Sequence, residues 1–272
     1  MAATTAGPRG LYPDTTFVAR DLVPEALIFT LTTNAGGIEG DTPVVRVPYV
    51  SADAAAAFVP EGQDITAVDP TLAEVTVSTG KIAVLTKVSR EAASYQDAAN
   101  LMTDSLRRSI ITKANAALLT SASAPTGLLA TSGVVDGGTL GDDDLDVVAE
   151  AITSVEVNGG TASHIVMDPA SFGVLRVRKV ATGSNLPLLG APGEPTGRTL
   201  FGVPVIVSSA MTSGKMLIID STNIISASGV VTLATSEDLY FQSDSRAVRV
   251  TWRIGWKVIR PNRMAKITVT IA

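Results

Sequence analysis

Residues 72–121 read LAEVTVSTGKIAVLTKVSREAASYQDAANLMTDSLRRSIITKANAALLTS, and the change of period inside this stretch decides the fold. Over 73–88, Val75, Val77, Ile82, Val84 and Val88 lie among Thr and Ser in apolar–polar alternation, the period-two pattern of a half-exposed strand. At Ser89, an N-cap residue type, the period lengthens. Ala92, Tyr95, Ala99, Met102, Leu106, Ile110, Ala114, Ala117 and Leu118 then recur every three to four positions, as one face of a helix requires, and no Gly or Pro intervenes before Pro125. A helix over 90–120 spans roughly 46 Å at 1.5 Å per residue, far beyond the mean of about 11–12 residues in globular proteins. Such a helix is a strut. Its other face carries Arg90, Glu91, Gln96, Asp97, Asp104, Arg107, Arg108 and Lys113, so it packs on one side only and is too polar to cross a membrane.

Upstream, Thr42–Val50 (TPVVRVPYV) reads as a strand confined to an edge or bulge by Pro43 and Pro48. The segment joining it to the 73–88 strand, SADAAAAFVPEGQDITAVDPT, is polar, contains Pro and Gly, and is long for a loop inside a compact domain. Two strands joined this way make a long hairpin with no apolar partner in its own chain, and such an edge pairs with another subunit. Self-assembly is the first expectation. Residues 1–16, rich in small residues, Thr, Pro and Gly, read as a flexible or extended arm, and Asp21–Leu31 as a short docked helix or strand, with Pro24 tolerated only near a helix start. Downstream, Ala124–Asp136 is a turn-rich linker, after which the pattern becomes α/β. A helix starting near Asp142 ends at Asn158-Gly159-Gly160, a strand SHIVM follows, and Asp168-Pro169 supplies N-cap and N1 of a second helix. Leu200–Ser208 and Lys215–Ile219 read as strands, and Ile224–Ile271 is almost wholly strand-like.

The chain has 272 residues, 46% of them hydrophobic, enough for a real core; aromatics are only 4%, which disfavours a ring-lined ligand pocket. Lys and Arg number 21 against 26 Asp and Glu, a net charge of −5 with no basic cluster longer than Arg107–Arg108, so tight binding of nucleic-acid phosphates is not expected. With no cysteine there are no disulfides, thiolate nucleophiles or zinc–thiolate sites, and with no apolar leader or span the chain reads as soluble and unexported. The single histidine, His164, enters a strand without a carboxylate neighbour and reads as structural. Asp142, Asp143, Asp144 and Asp146 lack calcium-loop spacing and read as helix capping. Gly190–Thr199 fails as a phosphate loop because Pro192 and Arg198 stand where glycine and lysine are required. Glu237–Ser243, EDLYFQS, resembles a plant-virus protease site but continues into ordinary strand sequence on both sides, so it reads as a native strand edge. A hydrolase-like reading of 140–220 has neither nucleophile nor base. We expect no catalytic, cofactor-binding or metal site, and no enzyme.

The order of segments resembles the major capsid proteins of tailed phages, the Hong Kong ninety-seven phage fold. The resemblance rests on Val88, Ser89 and Glu91 entering the long helix, on Met167, Asp168, Pro169 and Leu175, on Leu200, Gly202, Pro204 and Val205, and on Asp220, whose preceding position is Ile219 rather than the family's glycine. It covers residues 40–260. It implies an α+β subunit divided into an N-terminal arm over 1–44, an E-loop hairpin over 45–88, a P-domain spine helix over 89–124, an A-domain over 125–225 and a P-domain C-terminal β segment over 226–272. It implies a structural protein of a double-stranded DNA phage that self-assembles as hexamers and pentamers into an icosahedral shell in the virion, built in the host bacterial cytoplasm. The implied partners are copies of itself, a portal, and a separate scaffolding or decoration protein, with genome enclosed but not tightly bound and no membrane. Many members carry a cleaved N-terminal scaffolding segment, for which there is no room before residue 20, so scaffolding is expected from a separate protein or not at all. The alternative is the related encapsulin nanocompartment, which encloses cargo enzymes; its usual charged, helix-forming N-terminus does not resemble MAATTAGPRGLYPDTT.

Some members cross-link an E-loop lysine to an asparagine of a neighbour's P-domain. Here no lysine stands between Ser51 and Thr79; Lys81 and Lys87 lie lower on the returning strand, and Asn262 is left without a donor at the tip. Mature particles boiled in denaturing detergent are therefore expected to run as one band near the 28.0 kDa chain mass. A ladder of multimers, with an isopeptide bond mapped to Lys81 or Lys87, would contradict this.

Overall fold

The computed structural model describes residues 15–38, 43–89, 91, 96–141, 145–179, 184–185, 187–189 and 198–271. Strand β1 (Thr15–Phe17), two one-turn helices α1 (Ala19–Leu22) and α2 (Ile28–Leu31), and β2 (Thr33–Ile38) precede a hairpin of β3 (Val44–Ala52) and β4 (Thr71–Ser89). The spine helix α3 (Gln96–Thr120) follows, then β5 (Val135–Leu140), α4 (Asp146–Val157), β6 (His164–Met167), α5 (Pro169–Val177), β7 (Thr199–Leu200), β8 (Val203–Val207), β9 (Lys215–Ile219), β10 (Ile224–Tyr240), β11 (Ser245–Val258) and β12 (Ala265–Val269). One sheet has the order β1-β10-β11-β4-β3, with β2 also on β10; the other runs β5-β12-β9-β6-β8-β7.

The period-two and period-3.6 readings of the central stretch hold, and they meet in one core. Leu106, Ile110, Ala114 and Leu118, with Ile111 and Leu119, bury the inner face of α3 in the same apolar cluster as Val250, Trp252, Ile254, Trp256 and Val258 from one face of β11. On the opposite face Asp104, Arg108 and Lys113 are exposed. Glu91 is also helical, whereas positions 90 and 92–95, including Ala92 and Tyr95 of the expected stripe, lie outside the described residues. At the far end of α3 the Gly127 N–H donates to Ser121 O at 2.8 Å, and the Trp256 indole donates to Thr126 O at 2.7 Å. The segment 21–31 forms two helical turns docked on the spine: Leu27 N–H donates to Asn115 Oδ1 at 2.8 Å, and Arg107 pairs with Glu25 at 2.7 Å.

The hairpin differs from its sequence reading at its root. β3 pairs with β4 from Val44↔Ser78 to Ala52↔Thr71, but the rest of β4 pairs with β11, from Thr79↔Gly255 to Ser89↔Ser245. The root therefore does have an apolar partner in its own chain: Val77 is fully buried with Ile38, Ile225 and Ala227, and Val45, Val47 and Val75 pack against them. Gly255 is what lets β4 leave β11 so closely, because a Cβ there would lie 2.5 Å from Ser78 O.

The second sheet is covered on both faces. In β9, Met216 and Ile218 join the core under α4 and α5, while Leu217 and Ile219 face the spine-helix core, which is why KMLII reads as an unbroken apolar run. Asp168 caps α5 as expected, accepting from Ala170 N at 3.0 Å and Ser171 N at 3.3 Å with Pro169 at N1. Helix α4 ends at Asn158, Gly159 takes a φ of +72°, and Gly159 and Gly160 N–H donate back to Glu156 O and Val155 O at 2.8 and 3.0 Å. Of the acidic run, Asp146 stands in the first turn; Asp142–Asp144 lie outside the described residues, as do residues 190–197 of the glycine-rich loop. The stretch taken as a linker contains a 3-10 turn at Leu128–Ala130, with Leu128 wholly buried, and the start of β5.

Ile110→Ala empties a site that is 1% exposed and is expected to cost about 2–5 kcal/mol. Leu101→Ala, on the outer face of the same helix at 69% exposed, should stay within about 0.5 kcal/mol. Urea unfolding of unassembled subunits followed by circular dichroism measures both, and equal effects would mean that the helix is not packed on this face.

Candidate assembly surfaces

No group of three His, Asp or Glu side chains comes together as a metal cage among the described residues. His164 opens β6, half-buried, with Nδ1 3.3 Å from Ser163 Oγ, and burial lowers its pKa below the usual imidazole value. Asp168 is 3% exposed, and its carboxylate is occupied by donors: besides the two cap amides it accepts from Ser171 Oγ, Ser213 Oγ at 3.3 Å and Gly214 N at 3.2 Å. It ties the start of α5 to the turn before β9. Asp220 does similar work, accepting from Thr222 N at 3.0 Å, Thr222 Oγ1 at 2.6 Å and Thr161 N at 3.4 Å. These are buried polar groups whose hydrogen bonds are satisfied within the fold.

Three surfaces among the described residues stand open. Among the described residues β3 pairs with β4 alone, so its outer backbone edge is open. The connecting residues 53–70 are exposed throughout, and they hold Phe58, 108% exposed, with Ile65 at 82%, Val68 and Val59. Leu72, at the start of β4, is also exposed. By composition this loop reads as polar and small. Its apolar residues have no helical or strand period to reveal them; the available signal is their presence in a Pro- and Gly-containing segment with no core to join. Arg260 orients the hairpin, its guanidinium donating to Val50 O at 3.1 Å and Ser51 O at 3.3 Å. Asn223 in turn grips the Arg260 backbone, accepting from its N–H at 2.9 Å and donating to its carbonyl at 2.5 Å.

A second surface is an open apolar groove of about 340 Å³ between α3 and the end of the first sheet, lined by Phe17, Leu22, Val88, Met102, Leu106 and Val248. Arg107 and Arg246 stand among its lining residues. A third is the β10–β11 tip, where the ladder slips between Ser236 and Tyr240 and leaves Leu239 and Phe241 58% and 85% exposed. The expected strand edge at 237–243 is thus a strand through Tyr240 followed by a 3-10 turn over Phe241–Ser243. Lys87, on the returning strand of the hairpin, has Nζ 5.2 Å from the centre of the Tyr240 ring. Asn262 donates to Asn158 Oδ1 at 3.0 Å.

Comparison with solved structures matches the same architecture. A structure from Gordonia phage Cozz superposes with a TM-score of 0.71 at 20% identity, covering 91% of this chain and 87% of that one. The capsid of an empty GTA particle gives 0.70 at 16% identity, with 90% of each chain covered. A structure from Mycobacterium phage Bobi gives 0.68 at 14% identity, covering 99% of this chain and 96% of that one. A search of curated protein sequences returns no match. The α+β fold is that of the Hong Kong ninety-seven phage capsid, as the sequence resemblance implied. The model of the Phage capsid family matches residues 19–269, nearly the whole chain, and the chain belongs to that family.

Proposed function

We propose that this major capsid protein closes an icosahedral shell of hexamers and pentamers by laying its hairpin across neighbouring subunits. The hairpin carries the reading. It presents an open strand edge and, at its end, apolar side chains that a lone soluble subunit would leave in water. Burying one such large side chain contributes about 1.5–3 kcal/mol, and a stable interface needs roughly 1,000 Å² or more. The role is structural rather than catalytic.

In this reading residues 1–44 are the N-terminal arm, 45–88 the E-loop, 89–124 the spine helix of the P-domain, 125–225 the A-domain, and 226–272 the P-domain's C-terminal β segment. The core under α4 and α5, drawn from 125–225 with β12 lent from the last segment, supports the division, and Leu128, Leu217 and Ile219 join that segment to the core under α3. The shell encloses double-stranded DNA in the virion. The net charge of −5 favours confinement of the genome over tight binding to the wall. A portal and a separate scaffolding or decoration protein complete the head, which assembles in the host cytoplasm. The encapsulin alternative is not favoured, since the matching family is that of phage capsids. Packaged DNA, against a co-purified cargo enzyme, separates the two.

Size-exclusion chromatography with light scattering and electron microscopy should find closed particles. A monodisperse monomer at every salt and pH tried would overturn the shell reading. Deleting Ala54–Asp69 is expected to leave the subunit folded, because these residues are exposed and outside the cores, but to block closure. If the deletion unfolds the subunit instead, the loop belongs to the core and the E-loop assignment fails.

A further inference from the structure

The β10–β11 tip combines an unusual sequence with an unusual exposure. Residues 237–243 read EDLYFQS. Glutamate stands six positions before the Gln242–Ser243 bond, tyrosine three before it, glutamine immediately before it, and a small residue after it. We propose that this tip is a proteolytic recognition site, cut between Gln242 and Ser243 in the free subunit by a chymotrypsin-like cysteine endopeptidase of the plant-virus type used to remove affinity tags. The proposal does not depend on the shell reading.

Such an enzyme binds its substrate as an extended strand added to its own, so the segment must be reachable and able to straighten. Glu237, Asp238 and Leu239 fall in the gap of the ladder between Ser236↔Ala247 and Tyr240↔Ser245. Phe241, Gln242 and Ser243 form the exposed turn, and Asp244 closes it with a φ of +43°. What holds the tip shut is local and polar. Glu237 pairs with Arg246 at 2.7 Å with both side chains exposed, Lys87 sits over the Tyr240 ring, Ser243 Oγ donates to Tyr240 O at 3.2 Å, Asp244 N–H donates to Phe241 O at 3.3 Å, and the buried Ser245 donates its Oγ to Ser243 O at 2.7 Å. None of these contacts belongs to an apolar core, so the tip can open without disturbing one. In the cut, the protease thiolate attacks the Gln242 carbonyl carbon, the bond to the Ser243 nitrogen breaks, and that nitrogen leaves as a protonated amine. Water then hydrolyses the thioester, leaving a carboxylate on Gln242. The two pieces stay paired through the ladder from Ile224↔Val258 to Ser236↔Ala247.

The test treats the full chain, isolated as unassembled subunit, with the tag-removal protease. We expect pieces 1–242 and 243–272 that co-elute under native conditions and separate only in denaturing detergent. Cutting should be about tenfold slower than for the same seven residues in an unstructured linker, because Glu237 and Tyr240 must first leave their partners. Arg246→Ala, which frees Glu237, should speed it roughly two- to fivefold. Gln242→Ala should abolish it. A native chain left whole by doses that remove a control tag completely, cutting that requires urea, or cutting that persists in Gln242→Ala would each overturn the proposal.

Discussion

The fold hangs on one strand whose two edges and inner face are all committed. β11 is hydrogen-bonded to β10 on one side and β4 on the other, and its alternation places Trp252 and Trp256, the only tryptophans of the chain, in the core shared with α3. A buried indole needs a partner for its N–H, and each finds one where the backbone departs from regularity. Trp252 donates to Gly229 O at 3.1 Å, inside the register slip of β10, and Trp256 donates to Thr126 O beyond the end of the spine helix. The bulge and the helix-terminal turn are therefore fixed by the same side chains that fill the core. Shifting β11 by one residue would turn both rings to the outer face and orphan both contacts at once.

The commitment of β11 explains why so much of the architecture could be read from sequence. Where a segment buries one face, its period states the face. The stripe from Leu106 to Leu118, the alternation in β4 and the doubly buried KMLII of β9 each declared their type, and Asp168-Pro169 announced a helix start by cap chemistry. β5 was missed because VDGGTL carries no such signal. It is a strand by virtue of its neighbours, paired in parallel with β12, and its glycine is a fitting requirement: a Cβ on Gly137 would lie 2.9 Å from Ile267 Cγ1 and 3.0 Å from Ala151 Cβ. The root of the hairpin was missed for a related reason, since Val77 is buried only because β2 and β10 meet there.

Function was legible only as architecture. The buried carboxylates of Asp168 and Asp220 stitch turns to strands, and burial lowers the pKa of His164. What distinguishes this surface lies in an open strand edge and in Phe58 and Ile65, side chains without a place in the subunit that carries them. Solved relatives at 14–20% identity keep the architecture across nearly the whole chain, as expected when pattern rather than particular residues specifies the fold.

Arg260 gives the molecule a short mechanical path. Its side chain grips the far part of the hairpin, and its backbone is clasped by Asn223. Within three residues the chain reaches Asn262 and Arg263, which bond Asn158 at the end of α4, each at 3.0 Å. A swing of the hairpin large enough to move Val50 must break the guanidinium contacts or drag this turn with it. The turn is anchored to the helix that covers the second sheet. A subunit built this way has a lever whose fulcrum is Arg260, so that lateral load on the hairpin reaches the opposite lobe across a handful of bonds.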